Sequence, residues 1–133
     1  MKKIVDEIEK AAENLKNIVK KTPLEFNERL SKIYQAKIYF KREDQQPVRS
    51  YKIRGAYNIL ISLTNNERKM GVVTASAGNH AQGVAYSCNK LKIKGVIFYA
   101  NNNSLNKKLI ELNTLEMTGL KLNYLVKIMM KQH

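Results

Sequence analysis

The sequence has one cysteine, Cys88, which excludes an intramolecular disulfide framework and a multi-cysteine zinc site. No run approaches the roughly 18 consecutive apolar residues that a membrane-spanning helix needs. An apolar leader is missing as well. Met1-Lys2-Lys3-Ile4-Val5-Asp6-Glu7 turns acidic at once, which is not the pattern of a secretory signal. Acids are scarce: 11 Asp and Glu stand against 24 Lys and Arg, for a net charge of +13 over 133 residues. That surplus raises nucleic acid as a partner. The lysines are scattered along the whole chain, however, often beside Glu or Asn, and no aromatic-and-basic motif accompanies them. The surplus therefore reads as a solvated surface. An apolar content of 44% is too high for a disordered tail and suits one compact domain, short for a multi-domain enzyme. These features lead us to expect a soluble cytoplasmic protein with neither a membrane nor a nucleic-acid partner.

What is present is patterned. Ile4, Val5, Ile8, Ala11, Ala12, Leu15, Ile18 and Val19 recur at helical spacing over residues 4–19. Pro23 disfavours helix at Thr22, so Thr22-Pro23-Leu24 reads as an extended entry. Residues 36–41 alternate like a strand, and Arg42 to Pro47 reads as a polar loop. Ser50 is the expected N-cap of a helix over 51–63. The short run Gly71-Val72-Val73-Thr74-Ala75 is β-prone, a helix is expected over 80–90, and Gly95-Val96-Ile97-Phe98 is the next strand. Strand, tight loop, helix, strand is a βαβ unit, which predicts an α/β fold with parallel strands and flanking helices.

Two clusters carry candidate chemistry. In open α/β sheets ligands sit beyond the carboxyl ends of the strands. The loop Ser76-Ala77-Gly78-Asn79-His80 lies at such an end and opens a helix, where free N–H groups and the helix dipole favour an anion such as a carboxylate. Gly78 permits close backbone approach, and Ser76, Asn79 and His80 add donors. The plainer alternative is that Ser76 and Asn79 only cap the helix. The second cluster is Ser50-Tyr51-Lys52-Ile53-Arg54-Gly55-Ala56-Tyr57. At the positive end of a helix, Lys52 is disfavoured as an ammonium, and a neutral amine is the form that condenses with an aldehyde. The plainer alternative is a lysine that simply reaches water. Glu43-Asp44 reads more readily as a loop pairing with Lys41 or Arg42, or capping a turn, than as a catalytic pair. His80 has no second ligand at metal-binding spacing, Cys88 reads as a small core residue, and Tyr51 either borders a ligand or packs.

Three linked motifs then make a family recognisable. Lys41-Arg42-Glu43-Asp44-Gln45-Gln46-Pro47, Ser50 to Tyr57, and Thr74-Ala75-Ser76-Ala77-Gly78-Asn79-His80-Ala81-Gln82-Gly83 resemble threonine dehydratase (threonine ammonia-lyase), a pyridoxal-phosphate enzyme of fold type II. The resemblance runs from the N-terminal helix to Phe98. It implies that Lys52 is joined to the cofactor as an imine and later takes the substrate α-proton, and that Asn79 bonds the cofactor's phenolic oxygen. It also implies that Ser76, Gly78, Asn79 and His80 hold the substrate carboxylate. The implied reaction converts L-threonine to 2-oxobutanoate and ammonia, the entry to isoleucine biosynthesis, with L-serine as a second candidate substrate. Intact relatives are homo-oligomeric. Serine racemases of the family carry a serine where this chain has Ala77, so Ala77 favours elimination over racemisation. The rival readings are a serine/threonine dehydratase or racemase, a non-catalytic gene remnant, and a basic binding protein.

The resemblance breaks after Phe98. The family continues with a segment like Met-Pro-Thr-Thr-Thr-Pro, whereas this chain reads Tyr99-Ala100-Asn101-Asn102-Asn103-Ser104. Those residues can be encoded by TAT GCC AAC AAC AAC TCC, which without its first base reads as the family segment. A second family-like string is readable near Met117 in a neighbouring frame. The expectation is a family-like N-terminal part of a catalytic domain over 1–98 and an out-of-frame tail over 99–133. In that tail Leu105, Leu109, Ile110, Leu112, Leu115 and Leu120 permit a helix formed by chance. The cofactor's phosphate loop and pyridine-nitrogen partner fall outside the motifs present. An incomplete sheet with exposed edges, poor solubility and no useful cofactor affinity are therefore expected.

Overall fold

The computed structural model describes residues 2–101 and 104–112. The order is α1 (Lys2–Asn14), β1 (Leu24–Phe26), α2 (Glu28–Tyr34), β2 (Tyr39–Lys41), a 3-10 turn (Glu43–Gln45), α3 (Lys52–Ile61), α4 (Asn65–Met70), β3 (Val72–Ala75), α5 (Asn79–Leu91), β4 (Gly95–Asn101) and β5 (Ser104–Leu112). Among the described residues no helix is long and apolar enough to cross a membrane.

The expected βαβ unit forms. Val72, Val73 and Thr74 are β-branched and suit a pleated surface, and β3 pairs in parallel with β4, Val72 opposite Gly95 and Ala75 opposite Phe98. Helix α5 makes the crossover. Its apolar side supplies Val84 and Cys88 to a core with Ala56 and Leu60 of α3 and with Ile93, flanked by Leu63, Val72 and Leu91. Gly71 makes the tight step from α4 into β3. Its φ is +84°, and a Cβ there would stand 2.8 Å from the Lys94 carbonyl oxygen, so only glycine fits.

Several boundaries differ from the sequence reading. Helix α1 ends at Asn14 rather than 19, and hydrogen-bonded turns carry the chain through Leu15 to Val19. Leu15 is buried, whereas Ile4, Val5 and Ile8 are exposed. The strand expected over 36–41 shortens to β2, which pairs antiparallel with β1. Helices α2 and α4 were not expected. Each has a clear start signal: the Asn27 side chain accepts from the Leu30 N–H, and Thr64 with Glu67 forms a capping box. Helix α3 starts one residue late, with Tyr51 rather than Ser50 at its N-cap.

The segment after Phe98 differs most. Where a chance helix was expected, residues 104–112 form β5, which pairs antiparallel with β4 from Gly95 opposite Leu112 to Asn101 opposite Ser104, with an irregularity at Ala100/Asn101. The edge of β4 offers partners to the backbone N–H and C=O groups of the segment that face it, and that outweighs weak helical spacing. Leu115 and Leu120 lie outside the described residues.

Candidate active site

Lys52 is the first residue of α3. It is half-buried, with Nζ 4.9 Å from the centroid of the Tyr51 ring. Tyr51 thus packs on the lysine head from the preceding position, a cation–π geometry. The helix start is unusual in two ways. Its N-cap makes no side-chain hydrogen bond, and its first turn contains no acid. Two cations, Lys52 and Arg54, therefore share the end of a helix where positive charge is least favoured.

The missing negative charge comes from Glu43, in the 3-10 turn. Its carboxylate accepts from Arg54 Nε and Nη2, both at 2.8 Å, and from Thr22 Oγ1 at 2.6 Å. Gln46 Nε2 lies at 3.3 and 3.4 Å from its two oxygens. The hydrogen bonds from Arg54, together with those from Thr22 and Gln46, hold the Glu43 carboxyl down at about 2 against the opposing cost of burial. The same pairing raises the Arg54 guanidinium. Asp44 instead binds Arg42 through two hydrogen bonds, of 3.0 and 2.8 Å. Both carboxylates are thus committed to arginines. Asp44 meets the expectation of an ion-paired loop through Arg42, while the partner of Glu43 is Arg54, not a residue of its own loop.

The 76–80 loop sits where expected, at the carboxyl end of β3 and opening α5. Gly78 is the N-cap and makes no side-chain cap; Asn79 is the first helical residue. Ser76 Oγ accepts from the Gly78 N–H at 3.2 Å, so neither Ser76 nor Asn79 caps the helix with its side chain. Ser76 is half-buried; Gly78, Asn79 and His80 are exposed, and the space beside Gly78 is open. The leading N–H groups of α5 have no partner within the helix, as at any helix start.

Gly83 sets helix α5 against the lysine-bearing turn of α3. It is buried inside α5, and a Cβ there would lie 3.0 Å from both the carbonyl carbon and oxygen of Lys52 and 3.3 Å from the Ile53 nitrogen. Helix α5 therefore touches the backbone of the lysine itself. Asn79 is four residues earlier, on the same helix face and about 6 Å along the axis. The face of α5 that rests on Lys52 thus continues towards its own polar N-terminus. Ser50 completes the neighbourhood: it is 6% exposed, and its Oγ has no hydrogen-bond partner.

These groups fit an aldehyde-bearing, anionic cofactor and an amino-acid substrate. A half-buried primary amine, an orphaned buried hydroxyl two residues before it, and an open polar helix start form a coherent donor set for an aldehyde and a carboxylate. The residues singled out from the sequence, Lys52, Ser76, Gly78, Asn79 and His80, lie at the start of α3 and at the opening of α5. Sequence reasoning did not find Gly83 as the contact point or Arg54 as the partner of Glu43. A glycine inside a helical pattern was the available signal for the first.

Comparison with known proteins agrees with this geometry. A family model described as pyridoxal-phosphate dependent enzyme matches residues 15–119. A biosynthetic L-threonine dehydratase of Staphylococcus epidermidis is 56% identical over 92 residues, which are 69% of this chain and 22% of that protein. The processed form of threonine deaminase isoform 2 from Solanum lycopersicum matches with a TM-score of 0.64 and 32% identity, covering 93% of this chain and 33% of that one. Maize serine racemase matches with a TM-score of 0.67 and 33% identity, covering 71% of this chain and 30% of that one. This chain thus spans less than a quarter of the length of the Staphylococcus protein. The family model covers most of the chain, and the chain belongs to the family of pyridoxal-phosphate-dependent enzymes.

Proposed function

We propose that this chain carries the lysine-bearing and carboxylate-binding portions of a threonine ammonia-lyase. The reaction removes water across Cα–Cβ of L-threonine, and the resulting enamine hydrolyses to 2-oxobutanoate and ammonia. Pyridoxal phosphate, when bound, supplies the electron sink for the Cα carbanion. Lys52 Nζ would hold the cofactor's aldehyde carbon, and the same atom would take the substrate α-proton. Asn79 donates to the cofactor's phenolic oxygen. Ser76, His80 and the leading N–H groups of α5, with Gly78 leaving room, hold the substrate carboxylate. The observation that supports the reading most is the contact of Gly83 with the Lys52 backbone, because it packs the helix opened by the 76–80 loop against the turn that carries the amine.

Ala77 at the tip of the loop favours elimination. A hydroxyl there could serve as a second acid/base, and a methyl cannot. The likeness to maize serine racemase keeps serine chemistry as the second reading, with L-serine turnover or racemisation as its signature. Residues 99–133 we read as the product of a shifted frame, which the genomic DNA at codons 99–104 checks directly. We place the polypeptide in the cytoplasm.

The test is chemical. The chain is incubated with pyridoxal phosphate, reduced with borohydride and mapped by peptide mass spectrometry. Preferential, substoichiometric modification of Lys52 at millimolar cofactor is the expected result. Modification spread over the exposed lysines without preference for Lys52 rejects the site. A stoichiometric adduct at Lys52 at micromolar cofactor, with threonine turnover, supports the reading in full.

A further inference from the structure

We propose that Glu43 is a positioning residue for Lys52, acting through the fork of Arg54; the inference rests on the site reading above. The argument is geometric. Helix α3 begins with Lys52, then Arg54, and has neither an acid in its first turn nor a side-chain cap. A helix start so composed frays readily, because its N–H groups lack acceptors and its charges oppose the dipole. The Arg54 fork is held at 2.8 Å on each of two nitrogens by one carboxylate. Two parallel bonds fix the orientation of the guanidinium as well as its distance. That carboxylate is itself anchored by Thr22 at 2.6 Å. The neighbouring Gln46 is 1% exposed and clamps the Lys20 backbone, accepting from its N–H and donating to its carbonyl, each at 2.9 Å. The N-terminal arm, the 3-10 turn and the lysine-bearing turn of α3 thus converge on Glu43.

The opposite side of the same turn is fixed by Gly83 of α5. Lys52 is therefore held between a backbone contact and an ion pair. The ionisable groups on the elements that meet here are Lys20 and Lys21 of the arm, Glu43 and Asp44 of the 3-10 turn, Tyr51, Lys52, Arg54 and Tyr57 of the α3 start, and His80, Tyr86, Cys88 and Lys90 of α5. Of the two acids, Asp44 is taken by Arg42, and Glu43 is the one bonded to Arg54. Its loss leaves Arg54 without its counter-charge beside Lys52 in one helical turn.

The test compares the full 133-residue chain with E43Q, R54K and the remote control T64A, which removes the α4 capping box. Two readouts are taken. One is hydrogen exchange of the Arg54, Gly55 and Ala56 amides. The other is the rate of borohydride-fixed pyridoxyl modification at Lys52 relative to the exposed Lys69. For E43Q we expect at least tenfold faster exchange in these amides and at least a fivefold fall in the Lys52/Lys69 ratio, with the α5 amides unchanged. R54K keeps the charge but not the fork, and follows E43Q. T64A leaves both readouts within twofold of the parent. If the parent modifies Lys52 selectively and E43Q does so equally, the positioning role is overturned while the site stands. Equal effects of T64A and E43Q reduce the pair to general stability and also overturn it. If E43Q loses its circular dichroism, R54K decides alone: parental values in R54K reject the fork. If the parent shows no preference for Lys52, the site reading falls and the proposal with it.

Discussion

Two glycines inside helices offer a contrast whose sign the structure fixes. Gly55 in α3 and Gly83 in α5 both have helical backbones, and each weakens its helix relative to alanine by about 0.8–1.0 kcal/mol. Around Gly55 there is nothing within 4 Å of an added Cβ. G55A should therefore return most of that amount, a gain of about 0.8 kcal/mol. At Gly83 the same gain meets three backbone atoms at 3.0, 3.0 and 3.3 Å. Backbone cannot swing aside as a side-chain tip can, and crowding a packed site by one methyl costs about 1–3 kcal/mol. The net for G83A is a loss of about 1 kcal/mol, so the two variants should differ by about 2 kcal/mol. Urea unfolding followed by circular dichroism measures this as a shift of the midpoint at constant slope. In a chain of 133 residues 1 kcal/mol corresponds to a Tm change of about 3–5 °C. The displaced atoms belong to Lys52, so G83A should also slow pyridoxyl modification at that residue, while G55A should leave it unchanged. If G83A is as stabilising as G55A, helix α5 does not press on the lysine backbone and the seam at the heart of the site is wrong.

Further outcomes follow from the same geometry. The folded pKa of Glu43, about 2, lies below the ordinary 4.5, so its contribution is complete above about pH 4.5 and disappears as pH falls towards 2. E43Q should cost about 2 kcal/mol at pH 7, the linkage value being reduced because the Arg54 side chain is 35% exposed, and its acid unfolding curve should flatten between pH 4.5 and 2. T64A should cost about 1 kcal/mol through the lost cap of α4, read as a lower urea midpoint. Cys88 is fully buried and its thiol is pushed up to about 11 by burial; a thiol reagent at pH 8 should label it at least a hundredfold more slowly in buffer than in denaturant. K52A should abolish the preferred pyridoxyl adduct without changing the circular dichroism, because the side chain is half-exposed and its head lies over the Tyr51 ring rather than in the core.

The sequence carried local signals well and distant ones poorly. The β3–α5–β4 unit was legible because β-branched runs flank a helical pattern with a tight polar loop between them, and each of those cues acts within a few residues. Lys52 and the 76–80 loop were legible for the same reason, since each is a compact motif. Helices α2 and α4 escaped because they are short and bury no residue; α4 has no apolar stripe, and that of α2 is limited to Leu30, Ile33 and Tyr34. Their capping residues Asn27 and Thr64 were the remaining cue. The strand at 104–112 exists through its pairing with β4, a non-local contact that no property of the segment announces. The same holds within the site. Ser50 looked like a cap by residue type, yet it is buried one position before the N-cap, with its hydroxyl unpaired. Glu43 finds Arg54 eleven residues away, and Gly83 meets Lys52 across two helices; sequence spacing gives no reason to join either pair.

Gln46 has a consequence for the chain that precedes the site. A single side-chain amide imitates a neighbouring β-strand, giving Lys20 both an acceptor and a donor. The arm is thereby indexed to the interior at one residue, with Thr22 keyed to Glu43 two positions on. Lengthening or shortening the stretch between Leu15 and Lys20 leaves both keys in reach through slack in the turns; a one-residue change between Lys20 and Thr22 makes them mutually exclusive.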